Sequence, residues 1–80
     1  MRSVVTIYGK PECCLCDEAM VVLEEARRRT PFKIEKVDIS GNAALTERYG
    51  LDIPVVLVDG RPAFRHRIDA ERLAELLEGR

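Results

Sequence analysis

The sequence predicts one α/β domain over residues 1–80, of element order βαβαββα, with a four-stranded mixed sheet and helices on both faces. Three observations carry that prediction. Short β-branched and aromatic runs alternate with stretches whose apolar residues recur at helical spacing. An Asp59-Gly60 pair stands between two apolar runs, the pattern of an antiparallel hairpin. Finally, 80 residues leave room for one hydrophobic core and no second domain.

The elements follow in order. Ser3 to Tyr8 (SVVTIY) reads as a buried strand that ends at Gly9 and Pro11. From Leu15 onward, Leu15, Ala19, Val22, Leu23 and Ala26 keep helical spacing. Asp17 and Glu18 in the first turn and Arg27 to Arg29 in the last suit the helix dipole, and Thr30-Pro31 stops the helix. Phe32 to Ile39 (FKIEKVDI) reads as a second strand, although its alternation slips between Ile34 and Val37. Ser40-Gly41-Asn42 supplies cap chemistry for a short helix from Ala43 to Tyr49, closed by Gly50. Val55 to Val58 and Ala63 to Ile68 should then pair as a hairpin, with Pro62 placing the return strand at an edge. Asp69 caps a last helix, Ala70 to Glu78, whose Leu73, Leu76 and Leu77 form an apolar stripe before Gly79. The first strand-helix-strand should be a right-handed parallel crossover.

Composition excludes several classes of function. The chain is 46% apolar and 34% charged, with formal net charge -1, and its charges are interspersed. No basic footprint for nucleic acid or an anionic membrane is present in the sequence. No run approaches the roughly 20 apolar residues of a membrane span, and Met1-Arg2-Ser3 leads straight into a strand-like stretch unlike a signal peptide. The three cysteines fall between Cys13 and Cys16, too close together to staple a secreted scaffold. The expected compartment is therefore the reducing cytoplasm.

The predicted topology puts this cluster at the carboxyl end of the first strand and the amino end of the first helix, where open α/β sheets carry their active sites. A free thiol with a pKa of about 8.5 is only a few per cent thiolate at neutral pH, and only the thiolate attacks a disulfide. At a helix start, unpaired N–H groups and the dipole favour the anion, so Cys13 is the expected attacking thiol, with a lowered pKa. Lys10 adds positive charge and Glu12 works against it. Cys16, three residues on, lies on the same face and can resolve a mixed disulfide formed at Cys13. It should be the more protected and the more basic of the pair. Cys14 is turned about 100° away and reads as a bystander, with a metal ligand or a second exchange site as its other readings. A Cys-x-x-Cys that follows a strand and opens a helix reads as a redox site, against the plain alternative of thiols that happen to lie close together.

Two other readings remain. Three thiolates could hold a soft metal or an iron-sulfur centre without any enzymatic role. A closed zinc site is disfavoured, because Cys13, Cys14, Cys16 and the single His66 are the only thiol and imidazole ligands and no second pair exists. His66 reads instead as an exposed or half-buried strand residue. The Arg27 to Arg29 patch could serve an adaptor, although basic residues at a helix end are commonly a solvated response to the dipole.

Ile7 to Cys16 (IYGKPECCLC), with Lys-Pro-x-Cys-x-x-Cys at the end of a strand, together with Ile53-Pro54 and Val55 to Gly60 (VVLVDG), resembles the glutaredoxin branch of the thioredoxin-like superfamily. The resemblance runs over nearly the whole chain and implies a thioredoxin-like fold of glutaredoxin type. It implies a cis Ile53-Pro54 bond beside Cys13, with Ile53 offering its backbone to a substrate. It also implies Lys10 meeting a carboxylate, no tightly bound cofactor, and glutathione as cosubstrate. The expected partners are a disulfide-bearing protein or a small thiol, with electrons from glutathione or a thioredoxin-reductase-type donor. Two departures stand out. Cys14-Leu15 replaces the usual Pro-Tyr, and Ala63 to Asp69 (AFRHRID) lacks the Gly-Gly that precedes the last helix in that family.

Overall fold

A computed structural model describes residues 3–78. The expectations on Met1-Arg2 and on Gly79 lie outside the described residues. The elements are β1 (Ser3–Gly9), α1 (Cys14–Arg29), β2 (Phe32–Asp38), α2 (Ala43–Tyr49), β3 (Val55–Val58), β4 (Arg61–Arg65) and α3 (Ala70–Glu78). The sheet order is β2-β1-β3-β4, with β1 parallel to β2 and antiparallel to β3, and β3 antiparallel to β4.

Alternation along β1 explains the layers. Val5 and Ile7 point to one face and are fully buried there against Ala19 and Leu23 of α1 and Leu73 and Leu77 of α3. Val56 and Val58 of β3 and Phe32 of β2 complete that core. Tyr8 points to the opposite face, where its ring stacks on Tyr49 of α2 at 4.7 Å. Helices therefore cover both faces, with the main core under α1 and α3. Fully burying an aliphatic side chain contributes about 1.5–3 kcal/mol, so in so short a chain Leu23 and Leu73 each carry a substantial share of stability.

The caps match the sequence pattern. Asn42 Oδ1 accepts the Leu45 N–H at 3.0 Å, and Asp69 Oδ1 accepts the N–H groups of Glu71 and Arg72 at 3.0 and 3.3 Å. Gly50 caps α2 in a right-handed conformation. What demands glycine there is space, because a Cβ would run into the Thr46 carbonyl oxygen.

The return strand differs from the expected Ala63 to Ile68. Asp59 and Gly60 both take positive φ, 52° and 85°, which closes a two-residue turn and starts β4 at Arg61. Pro62 then pairs with Leu57 and Phe64 with Val56, leaving Ala63 as a bulge on the sheet edge. His66 leaves the strand in a left-handed conformation at φ 69°, so it is not a strand residue, and Ile68 packs on the core from a loop.

Candidate active site

Between β1 and α1 the chain makes a short turn through Lys10, Pro11 and Glu12. Glu12 adopts φ 61°, a left-handed conformation that a non-glycine residue takes at a cost of about 1–2 kcal/mol. Nothing in a glutamate codes for it. The turn delivers Cys13 to the cap of α1 in an extended conformation, φ -103° and ψ 112°. Cys13 therefore precedes the helix, and its relation to Cys16 is that of a cap to the third helical residue. Its carbonyl accepts the Asp17 N–H at 3.0 Å, and its Sγ accepts the Cys16 N–H at 3.3 Å. That N–H is one of the first-turn donors with no partner inside the helix, so the Cys13 sulfur occupies an anion position.

The three thiols sit in different surroundings. Cys13 is half-buried, Cys14 exposed and Cys16 buried. Burial, followed by the hydrogen bond with Cys13, pushes the Cys16 thiol up to about 11. The Cys13 and Asp17 charges add to this, and a backbone hydrogen bond from Lys10 opposes it. Among the described residues no group of three or more His, Cys, Asp or Glu side chains converges to hold a metal ion.

Gly9 reads in the sequence only as a strand terminator, and the structure makes it a site residue as well. A Cβ built there would stand 2.8 Å from Cys16 Sγ, well inside van der Waals contact. The missing side chain is the space in which the Cys16 sulfur lies against β1. Gly9→Ala is expected to lower stability by at least about 1 kcal/mol through overpacking and to slow alkylation of Cys16 in the native state. Chemical denaturation and thiol-labelling rates check this. An alanine variant with parental stability and labelling would show that the sulfur moves aside freely.

The remaining predicted residues flank the end of β1 from its two sides. Tyr8 pairs with Val55, so Pro54, one residue earlier, comes level with Gly9 at the cysteine end of the sheet. The Ile53–Pro54 peptide bond is cis, Pro54 is fully buried, and its carbonyl accepts the His66 N–H at 2.9 Å. Ile53 is half-buried. On the β2 side, the exposed Lys10 shares a groove of about 400 Å³ with Cys16, Lys36 and Asp38. The Asp38 carboxylate accepts the Ser40 hydroxyl and N–H at 2.7 and 2.9 Å. These bonds, with Lys10 and Lys36 nearby, hold its pKa below the ordinary carboxylate value.

The sequence profile of the Glutaredoxin-like domain (DUF836) matches residues 4–78. A glutaredoxin-like protein of Dictyostelium discoideum is 31% identical over 80 residues, which span 92% of this chain and 74% of that protein. Among solved structures, a structural-genomics target protein from X. campestris superposes with a TM-score of 0.80 at 35% identity, covering 95% of this chain and 97% of that one. A thioredoxin mutant from Halobacterium salinarum superposes with a TM-score of 0.69 at 24% identity, covering 96% and 73%. This last likeness shows the thioredoxin fold alone.

Proposed function

The chain belongs to the glutaredoxin-like domain family, and from that membership and the setting of its cysteines we propose that it is a small dithiol thiol-disulfide oxidoreductase acting through Cys13 and Cys16. The observation that carries the reading is the Cys13 sulfur at the α1 cap, accepting the N–H of the buried Cys16 three residues on. Cys13, as thiolate, attacks one sulfur of a substrate disulfide. The Cys13–substrate bond forms, the substrate disulfide breaks, and the expelled thiolate takes up a proton. Cys16 then gives up its proton and attacks Cys13 Sγ, which releases the second substrate thiolate and leaves a Cys13–Cys16 disulfide. Two electrons pass from the protein to the substrate.

Cys16 is a poor nucleophile until it is needed. While Cys13 is free, its hydrogen bond and charge help keep the Cys16 proton in place. Once Cys13 is tied up in a mixed disulfide both contributions are gone, and mainly burial is left to hold the thiol protonated. Resolution is thereby coupled to the first step. Ile53 would offer its backbone to an extended substrate beside Pro54, and Lys10 would meet a substrate carboxylate. Reduction of the Cys13–Cys16 disulfide would draw on glutathione or on a thioredoxin-reductase-type donor, in the cytoplasm, with no tightly bound cofactor. No helix among the described residues is long and apolar enough to cross a membrane.

The test is Cys16→Ser. With the resolving thiol removed, a disulfide substrate is expected to accumulate as a covalent adduct on Cys13, seen by mass spectrometry and released by dithiothreitol. Failure to trap an adduct, or an adduct on Cys14, would overturn the assignment of roles.

A further inference from the structure

The bend that follows β4 gathers cations between the two elements that frame the dithiol. Arg65 ends the strand, His66 turns at φ 69°, and the Arg67 N–H returns to the Arg65 carbonyl at 2.8 Å. Arg65 Nη1 lies 3.9 Å from Asp52 Oδ2, and His66 Nε2 lies 3.6 Å from Asp52 Oδ1, in the loop that leads to Ile53-Pro54. Arg67 Nη1 lies 3.5 Å from Glu18 Oε1, on the first turns of the helix that Cys13 caps. The bend thus touches both the cysteine helix and the Pro54 loop.

These pairs leave the guanidiniums available. The Arg65 and Arg67 side chains are 72% and 76% exposed, and the Arg65 contact is longer than a hydrogen bond. Exposed pairs of this kind contribute about 0–1 kcal/mol, and each guanidinium carries five donors, most of them unspent here. A third guanidinium, Arg48, lies over the Tyr49 ring at 5.5 Å and shares with Asp52 and Arg65 a groove of about 350 Å³ floored by Tyr49 and Phe64. Next to Asp52, Leu51 is 96% exposed. The nearby Asp69 carboxylate is already engaged in capping α3. Arg48 and Arg65 therefore share with Asp52 a groove lined by Tyr49 and Phe64, with the bare Leu51 next to Asp52, while Arg67, two residues along the bend, holds Glu18 through one exposed contact.

We propose that this surface docks an acidic segment of a protein substrate, whose carboxylates displace Asp52 and Glu18 from Arg65 and Arg67 while an apolar side chain meets Leu51. That the segment carries the target disulfide rests on the dithiol reading above, whereas the docking itself does not. Protein disulfides flanked by aspartate and glutamate are then the preferred substrate class.

Two labelled peptides with serine in place of both cysteines test docking without exchange chemistry, one with acidic flanks and one with lysine flanks. Fluorescence anisotropy is expected to show the acidic peptide binding about tenfold tighter at low salt, with the preference shrinking as ionic strength approaches about 0.15 M. Arg65→Glu with Arg67→Glu should reverse the preference, and the neutral pair Arg65→Gln with Arg67→Gln should abolish it, so the result does not hang on one variant folding. Equal binding of the two peptides, an unchanged preference in the variants, or self-association of the protein through these arginines in sedimentation overturns the proposal. Turnover of the corresponding disulfide peptides is measured alongside. Acidic preference without turnover would sink the dithiol reading and spare the docking surface; turnover without preference would do the opposite.

Discussion

Cys13→Ser is expected to lower disulfide turnover by at least roughly a thousandfold, the scale of losing a catalytic nucleophile, while Cys14→Ser stays within about twofold of the parent. A serine hydroxyl is not ionised at neutral pH, so the attacking anion disappears. The fold should not suffer. Cys13 sits at the helix cap, where serine is among the preferred residues because its oxygen can accept the first-turn N–H that the Cys13 sulfur now accepts from Cys16. Loss of activity with unchanged thermal unfolding therefore separates chemistry from stability. Cys14 offers the contrast, since it shares the motif but is exposed on the outer side of the helix start. Parental turnover in Cys13→Ser, or a collapse confined to Cys14→Ser, would place the nucleophile elsewhere. Turnover is best measured separately with glutathione plus its reductase and with thioredoxin reductase, which also identifies the electron donor.

Much of this architecture is legible in the chain because it is encoded locally. The run Ser3 to Tyr8, the helical spacing from Leu15 to Ala26, and the caps Asn42 and Asp69 each specify their own element, and the structure agrees within a residue or two. Where the reading slips, the cause is a backbone conformation or a contact between distant segments. The Asp59-Gly60 signal carries the positive φ of both turn residues with it, but Arg61 and Pro62 do not read as strand residues, and the two-residue turn brings them straight into β4. His66 reads as a strand residue because the apolar and basic pattern continues through it. Its left-handed turn is accompanied by contacts to Asp52 and Pro54, which sequence spacing cannot display. Cys13 meets Cys16 as the cap of α1 and not along a shared helical face, but the approach of the two is legible from their spacing. Gly9 is not, since its role is an empty volume next to Cys16, and an absent side chain leaves only the weak signal of a glycine at the end of a strand.

Reduced protein is expected to lose about 2 to 3 kcal/mol of stability between pH 9 and pH 11 through Cys16 alone, at about 1.4 kcal/mol per pKa unit. The folded state holds the Cys16 proton to about 11, well above the ordinary thiol range of about 8.5 to 9. Below pH 9 the thiol is protonated in both states and its contribution is complete. Above that, the unfolded chain releases the proton while the fold still retains it, so stability falls with rising pH until the folded thiol also ionises near 11. Lysines and tyrosines titrate in the same window, so the informative quantity is a difference. Denaturation midpoints of the reduced parent and of Cys16→Ala, followed from pH 8 to 11, should diverge by that amount, with the parent losing more. Oxidised protein has no Cys16 proton to lose and should follow the alanine variant. Parallel curves for the reduced parent and Cys16→Ala would mean that burial against Gly9 does not desolvate the sulfur. The proposed coupling between capture at Cys13 and release of the Cys16 proton would then lose its physical basis, because it requires a thiol held protonated by its surroundings until its neighbour is consumed.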